Sequence, residues 1–358
     1  MKRLLCLAIT VLMAVSTFSA CNEPNEPSVI PDYAKIQIPE GEDTMLDADI
    51  IKSTIASTDD GNGNYTNPVI FADVPDIDFI RVDDAYYMVS TTMHLSPGCP
   101  IMKSYDLVNW EIVNYVYNIL DDADNLALRN GENNYGKGQW AASIRYNDGI
   151  YYVGFLSYAT GKTYIYYTKD IENGKWSRYE FDEGFHDMSI LFDDDGKVYL
   201  IYGGGQIWCI ELEKDLSAVK PETKRKIIDD AGLVPGCLAE GAHAYKLNGY
   251  YYIFIITWPS GGRRTQLCYR SKSLDGDWEM KVVLDDNLDF RNDGVAQGGI
   301  IDDADGNWHC LLFQDHGAVG RVPVLMTMTW EDDWPVVGVD GKAPKSAEIP
   351  LEERCNKR

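Results

Sequence analysis

A hydrophobic run, a tight turn and a second hydrophobic run rich in tyrosine recur five times along this chain of 358 residues. Asp-Gly or Asn-Gly between alternating hydrophobic residues indicates a β-hairpin, because a type I′ turn needs positive φ at both central residues. The turns lie 64, 47, 53 and 57 residues apart, and a strand-built repeat of roughly 40–55 residues is typical of a β-propeller blade. The sequence therefore predicts an all-β fold, a five-bladed β-propeller. The turns are centred on Asp84-Ala85, Asp148-Gly149, Asp195-Gly196, Asn248-Gly249 and Asp305-Gly306.

One position in each repeat points to a shared site. It lies nine residues before Ala85 in the first repeat and nine residues before the turn glycine in the other four. Equivalent positions of radially arranged blades converge on the propeller axis, and a fixed offset selects one strand face because side chains alternate with period two. Three of the five positions hold carboxylates, which we expect to meet at one mouth of the central channel. The five residues are Asp76, Trp140, Asp187, Glu240 and Gln297.

Three converging carboxylates indicate glycoside hydrolysis with inversion at the anomeric carbon. Such an enzyme needs a carboxylate as general base on a water and a protonated carboxyl as general acid on the leaving oxygen, about 6.5–9.5 Å apart. A third carboxylate nearby raises the pKa of the acid, because a like charge disfavours ionisation. Glutamate is longer and more flexible than aspartate, so Glu240 is the expected proton donor.

The carboxylates lie in three stretches, Asn67–Asp76, His186–Leu200 and Ala239–Tyr252. These stretches resemble the three catalytic blocks of glycoside hydrolase family 43, in the order and spacing of that family. The resemblance runs from about residue 67 to residue 338 and implies a five-bladed propeller. It also implies an inverting activity of the β-xylosidase, α-L-arabinofuranosidase, arabinanase or xylanase type.

The resemblance implies a role for each carboxylate, and these roles match the assignment from the repeats. Asp76 is the general base, Asp187 modulates the pKa of the acid and orients it, and Glu240 is the general acid. The first block usually reads Pro-Asp-Pro-Ser, whereas here Ile and Asp follow Asp76. Asp78, or Asp73, is therefore an alternative to Asp76 as the base.

Three further residues are candidates for contact with a sugar. Trp140 can stack on the apolar face of a sugar ring while its N–H donates, or it packs in the core beneath its blade. Gln297 can bind sugar hydroxyls or orient Glu240, or its amide braces a turn. His94 follows the second strand of the first blade and can line the pocket, although a loop histidine is often only solvated.

The fifth repeat continues into a segment that contains His316 and Arg321. It resembles the family segment that places an arginine against substrate hydroxyls, so Arg321 is a candidate for substrate binding. His316 is a candidate metal residue, as ligand or water-holder for a structural Ca²⁺ in the central channel, or else a substrate donor. A single histidine does not define a metal site. No other cofactor is expected.

The chain begins with a basic segment and an apolar stretch that ends in Phe18-Ser-Ala-Cys21, which reads as a lipoprotein signal. We expect residues 1–20 to be the signal peptide and Cys21 to be lipidated. Residues 21–66 then form a polar tether and lead-in, residues 67–340 the catalytic propeller, and residues 341–358 a short polar tail. This organisation predicts an exported outer-membrane lipoprotein on the periplasmic or cell-surface side.

A formal net charge of −24 argues against nucleic-acid binding, which rests on basic patches. A neutral, pentose-containing polysaccharide or oligosaccharide is a reasonable partner. We expect a monomer that meets the membrane only through its lipid anchor.

The leading hypothesis is an exo-acting, inverting glycosidase that removes xylosyl or arabinofuranosyl residues from hemicellulose or pectic arabinan. The alternatives are a non-catalytic glycan-binding propeller and an endo-acting arabinanase or xylanase. A retaining fructosidase of five-bladed type ranks lower, because the chain has no Asn-Asp-Pro block near its start.

Overall fold

The computed structural model describes residues 53–54 and 57–350. The expected signal peptide, Cys21, most of the tether and the end of the tail lie outside these residues. Within the described part, no helix has the length and apolarity needed to cross a lipid bilayer.

The described residues form 24 strands and two short 3₁₀ helices, Pro221–Thr223 and Gly317–Val319. In chain order the strands are β1 (Ser53–Thr54), β2 (Ser57–Asp59), β3 (Asn64–Ile70), β4 (Asp78–Val82), β5 (Ala85–Val89), β6 (Gly98–Ser104), β7 (Trp110–Tyr117), β8 (Gln139–Asn147), β9 (Ile150–Ser157), β10 (Lys162–Thr168), β11 (Ser177–Phe181), β12 (Ser189–Phe192), β13 (Val198–Tyr202), β14 (Ile207–Leu212), β15 (Arg225–Ile228), β16 (Leu238–Leu247), β17 (Tyr250–Trp258), β18 (Thr265–Ser271), β19 (Glu279–Leu284), β20 (Ala296–Asp302), β21 (Trp308–Asp315), β22 (Arg321–Glu331), β23 (Trp334–Val337) and β24 (Ser346–Glu348).

The strands form a β-propeller of antiparallel sheets. Five sheets take four consecutive strands each, β4–β7, β8–β11, β12–β15, β16–β19 and β20–β23, and β1 extends the first beside β7. A sixth sheet of three strands has the order β2-β3-β24. The predicted count of five blades is therefore wrong by one sheet. The sixth sheet joins strands from opposite ends of the chain and has no hairpin of the repeated kind, so counting turns did not find it.

The hairpin turns follow the prediction in two repeats and differ in three. Asp148-Gly149 and Asn248-Gly249 are two-residue turns with positive φ at both positions. The first turn is formed by Asp83 and Asp84, one residue earlier than predicted. The third and fifth turns are five-residue connections, 193–197 and 303–307, in which the first N–H donates to the last carbonyl.

Hydrophobic clusters join neighbouring sheets into a ring. Separate clusters lie between the first and second, second and third, third and fourth, and fourth and fifth of the larger sheets. A further cluster joins the last sheet to the first and includes Leu311 and Leu325 as well as Phe79 and Met88. The ring thereby brings the first strand of every larger sheet to its centre.

The small sheet closes this last interface. Asn67 on β3 donates to the carbonyl of Leu325 at 2.7 Å and accepts the N–H of the same residue at 2.9 Å. The hydroxyl of Tyr65 also donates to that carbonyl. β23 pairs only with Met328–Glu331 of the long strand β22, so the side chain of Asn67 satisfies backbone groups that β23 does not reach. Residues expected in the lead-in and the tail thus contribute a sheet to the fold.

Candidate active site

The backbone is irregular at all five positions that the repeats place in register. Asp76, Asp187 and Gln297 have φ values of 53°, 46° and 65°, in the left-handed region that non-glycine residues rarely adopt. Trp140 lies in a β-bulge of β8, and Glu240 stands at the start of a β-bulge of β16. Bulges and left-handed residues redirect a side chain and are frequent beside active sites. The five side chains therefore leave the regular strand pattern at equivalent places.

The structure gathers the three predicted carboxylates. One side-chain atom each from His186, Asp187 and Glu240 lies within 4.8 Å of the others. The charge of Asp76 acts on both Asp187 and His186. The prediction that these carboxylates converge agrees with this geometry.

Asp76 is held by a cation and a hydroxyl. Only 2% of its surface is exposed. Arg321 Nη1 forms an ion pair with Oδ1, and Thr91 Oγ1 donates to Oδ2 at 2.7 Å. Asp73 instead accepts the backbone N–H of Arg321 at 2.8 Å, so it fixes the arginine that contacts Asp76.

Asp78, the other alternative base, is a structural residue. It is fully buried, and its carboxylate contacts Arg145 Nη1 at 2.6 Å, the N–H of Ile144 at 2.9 Å and His243 Nδ1 at 3.2 Å. Burial alone would raise the pKa of Asp78, yet Arg145 and His243 bring that pKa down to about 2. These contacts hold the Asp78 carboxylate inside the protein, so it is not the base.

Asp187 is the carboxyl whose pKa is raised. The pKa of Asp187 is raised to about 7, mainly by burial and also by the charges of Glu240 and Asp76, against the opposing effects of His186 and of the N–H of Gly241. The N–H of Gly241 donates to Oδ2 at 2.9 Å. Near neutral pH, Asp187 therefore exchanges a proton readily.

Glu240 differs from the expectation for a general acid. Its Oε2 lies 3.1 Å from His186 Nε2, and this hydrogen bond lowers the pKa of Glu240 more than any other influence. Burial raises the pKa, while Arg321 and Arg264 lower it. The raised pKa was predicted from the neighbouring carboxylates, because the sequence did not show that His186, Arg321 and Arg264 lie close enough to Glu240 to lower its pKa.

Three residues of the site carry no signal in the repeats. The Tyr158 hydroxyl lies 2.6 Å from His186 Nδ1. Arg264 is buried, forms an ion pair with Asp315 and lies 4.3 Å from the ring centroid of Trp258. Burial and the neighbouring Arg321 lower the pKa of Arg264 to about 10. All three lie outside the nine-residue register. His186 is next to Asp187 in the sequence, whereas only the fold brings Tyr158 and Arg264 to the carboxylates.

Two of the weaker candidates lie beside this cluster. The ring of Trp140 meets that of Tyr158 edge-on at 5.4 Å, and its buried Nε1 has no hydrogen-bond partner among the described residues. The side chain of Gln297 packs directly against Gly241, next to Glu240. Its backbone N–H donates to Gln266 Oε1 at 2.7 Å.

The two candidate histidines lie in other surroundings. The ring of His94 meets Tyr135 at 4.8 Å, and its Nδ1 accepts the N–H of Gly136, both on the long connection between β7 and β8. His316 stacks on Phe290 at 3.8 Å, and its Nε2 lies 3.0 Å from Gln314 Oε1.

The centre of the ring holds a guanidinium group. Arg145 on β8 contacts Asp78 on β4, donates to Ser189 Oγ on β12 at 2.8 Å and reaches the carbonyl of Ala244 on β16 at 3.3 Å. Four inner strands therefore share one positive charge. A calcium ion takes six to eight oxygen ligands, and the hydrogen bond described for His316 brings one oxygen beside it, Gln314 Oε1, so waters would have to supply most of the ligands of a calcium ion there. In the described part of the chain, the one cluster of metal-ligand type is His186, Asp187 and Glu240.

A β-propeller with a buried carboxylate cluster flanked by arginines and aromatic rings has the architecture of a carbohydrate-active hydrolase. The chain belongs to glycosyl hydrolases family 43, whose family model matches residues 65–335.

Curated relatives share this family region. The chain is 33% identical over 367 residues to a β-xylosidase of Formosa agariphila, covering 94% of this chain and 58% of the relative. It is 30% identical over 302 residues to the non-reducing end α-L-arabinofuranosidase BoGH43B of Bacteroides ovatus, covering 80% of this chain and 56% of the relative. The chain thus spans little more than half the length of these relatives.

Solved structures agree with the fold. A bifunctional GH43-CE protein of Bacteroides eggerthii is 47% identical with a TM-score of 0.76, covering 83% of this chain and 37% of that protein. A family 43 enzyme engineered to display both endo-xylanase and exo-arabinofuranosidase activity is 30% identical with a TM-score of 0.71, covering 81% of this chain and 57% of that protein.

Proposed function

We propose that this chain is the catalytic propeller of an inverting, exo-acting glycoside hydrolase. Its substrates are xylosyl or arabinofuranosyl residues at the ends of hemicellulose or pectic arabinan chains. The observation that carries the proposal is the gathering of Asp76, Asp187 and Glu240 in one buried site. The activities named for the relatives support the choice of pentoses, and the non-reducing end action of the Bacteroides ovatus enzyme supports exo action.

Each carboxylate has a distinct task in this proposal. Asp76 accepts a proton from the attacking water, and its ion pair with Arg321 holds the carboxylate in place. Glu240 gives a proton to the leaving oxygen. Asp187 accepts the N–H of Gly241 on β16 and so keeps this strand and Glu240 in place.

The aromatic and basic residues around the cluster supply substrate contacts. We assign the unpartnered Nε1 of Trp140 to a sugar hydroxyl, since a buried donor without a partner costs free energy that a ligand can recover. Arg321 and Arg264 are placed to donate to hydroxyls beside Asp76 and Glu240. Gln297 acts by packing behind Glu240.

Export with a lipid anchor belongs to the same proposal and rests on residues 1–21 alone. The protein is also proposed to act as a monomer. Replacement of Cys21 by alanine should move the protein from the membrane fraction to the soluble fraction. Recovery of the variant in the membrane fraction would refute the lipid anchor without affecting the catalytic proposal.

The test is hydrolysis of p-nitrophenyl β-D-xyloside and p-nitrophenyl α-L-arabinofuranoside by the chain lacking residues 1–21. Wild type should cleave at least one of them, and Asp76→Asn should lose about 10²–10⁴-fold in kcat, the usual contribution of a general base. Glu222→Gln, which removes an exposed carboxylate from the 3₁₀ helix after β14, is the control and should retain wild-type activity.

Two other outcomes would replace this proposal. Cleavage of polymeric arabinan or xylan without cleavage of either aryl glycoside indicates an endo-acting enzyme. Binding of these polysaccharides by folded protein, without any hydrolysis, indicates a glycan-binding propeller.

A further inference from the structure

A chain of hydrogen bonds across three sheets ends at Glu240, the proposed acid. Tyr158 follows β9, His186 precedes β12 and Glu240 lies on β16. The Tyr158 hydroxyl lies 2.6 Å from His186 Nδ1, and His186 Nε2 lies 3.1 Å from Glu240 Oε2. Asp187 Oδ1 also faces Nδ1, but at the longer distance of 3.5 Å.

Burial lowers the pKa of His186, but its hydrogen bond to Glu240 and the charges of Asp187, Glu240 and Asp76 raise that pKa overall. The imidazolium carries a proton on each ring nitrogen, so its Nε2 donates to Glu240 Oε2. In the neutral ring, the chain of hydrogen bonds selects one tautomer. Burial and the charges of Asp187 and Glu240 raise the pKa of Tyr158 to about 12, so its hydroxyl keeps a proton near neutral pH. A phenol that donates to Nδ1 leaves the proton of the imidazole on Nε2. His186 then donates from Nε2 to Glu240 Oε2.

We propose that His186 is a positioning residue that occupies Oε2 of Glu240, so that the acid proton is carried on Oε1 and directed to the glycosidic oxygen. Tyr158 acts through His186 by fixing its tautomer. The inference rests on the proposed glycosidase function and assigns a role to two residues outside the carboxylate triad.

The hydrogen bond from His186 to Glu240 becomes stronger as Glu240 gives up its proton. In the reaction the Oε1–H bond of Glu240 breaks, and the proton bonds to the glycosidic oxygen, which keeps the electron pair of its broken bond to the anomeric carbon. The water that Asp76 deprotonates forms the new bond to that carbon. Glu240 becomes a carboxylate, so the donation from His186 becomes charge-assisted, and an interaction that strengthens along the reaction lowers the barrier.

A structural role for His186 is the competing explanation, because its ring also packs against Gly204. The two explanations predict different effects of the leaving group on the rate of the His186 variant. A sugar needs a proton to leave, whereas 2,4-dinitrophenolate leaves without one. Loss of acid positioning therefore slows only the disaccharide, while a distorted pocket slows both substrates.

The experiment compares kcat for a disaccharide and for the 2,4-dinitrophenyl glycoside of the same pentose. His186→Ala should lower kcat for the disaccharide about 10- to 100-fold, the range expected for one hydrogen bond to a charged group, and leave the dinitrophenyl substrate nearly unchanged. His186→Gln, whose amide can donate to Glu240, should restore most of the disaccharide activity. Tyr158→Phe should show a smaller loss of the same selectivity.

Tyr146→Phe is the matched control, because Tyr146 and Tyr158 are each 43% exposed. Equal losses for the two substrates in His186→Ala, or no loss for either, would overturn the inference. If His186→Ala does not fold, Tyr158→Phe decides: a loss confined to the disaccharide supports the inference, and equal losses or no loss overturn it. Wild type that cleaves neither substrate refutes the proposed function itself, a result distinct from failure of this inference.

Discussion

Burial is the main cause of the raised pKa of Asp187. The carboxyl lies among Asp76, Glu240 and His186, and burial contributes most to its raised pKa of about 7, well above the ordinary value of 3.8. A group that holds its proton more tightly in the folded state stabilises the protein below its unfolded pKa, and this stabilisation is lost as the pH rises through the folded pKa. For Asp187 the loss falls between about pH 4 and pH 7.

Asp187→Asn should therefore gain stability relative to wild type as the pH is raised from 4 to 8. The amide keeps an acceptor for the N–H of Gly241 and has no charge to bury. Urea unfolding at both pH values measures the difference. Asp182→Asn, whose side chain is 95% exposed, is the control and should show no such trend. An equal effect of Asp187→Asn at the two pH values would contradict the buried, proton-exchanging carboxyl.

At the level of elements, the site depends on departures from regular strands. Counting nine residues back from each turn located the five positions. The count also worked in the third and fifth repeats, because their longer turns compensate for a shorter stretch of inner strand. The count did not show that Asp76 and Asp187 adopt positive φ or that Glu240 stands at the start of a bulge. These features depend on contacts between sheets, which a repeat pattern does not contain.

Gly241 is a position where a contact between sheets requires glycine. Its φ is +72°, and a Cβ there would lie 2.7 Å from the side chain of Gln297. Gly249 has a similar φ of +79° with open space around it. Both Gly→Ala variants should lose about 1 kcal/mol or more of stability from backbone strain. Gly241→Ala alone should also lose activity, because it displaces Glu240 and the N–H that binds Asp187.

Steady-state kinetics and urea unfolding of the two glycine variants test this distinction. Equal kinetic effects would show that the bulge at Gly241 does not position the catalytic groups.

For the whole molecule, the repeat pattern predicted the propeller and the hairpins but not how the ring is closed or what fills its centre. β2 and the start of β3 come from the segment predicted as a polar lead-in, and β24 comes from the predicted tail, so the repeat pattern did not predict their pairing. Arg145 and Asp78 are ordinary charged residues in strands, and nothing in their spacing marks them as partners. At the site, Tyr158 was missed for the same reason, and no individual role was predicted for His186 or Arg264.

The guanidinium at the centre leads to a prediction about metal removal. Arg145→Met leaves Asp78 buried without its cation and should cost about 3–5 kcal/mol of unfolding free energy. Arg129→Met, in an exposed ion pair with Asp122, should cost less than about 1 kcal/mol. Treatment of wild type with EDTA should change neither the melting temperature nor the activity. A marked loss on chelation, reversed by calcium, would show that a metal ion holds the channel.

The most direct test of the account is the anomer that wild type releases first, followed by ¹H NMR during hydrolysis of a β-xyloside or an α-L-arabinofuranoside. The account predicts the inverted product, α-xylose or β-L-arabinofuranose, before mutarotation. First release of the anomer with the substrate's own configuration would contradict the assignment of Asp76 as a base that activates water opposite Glu240.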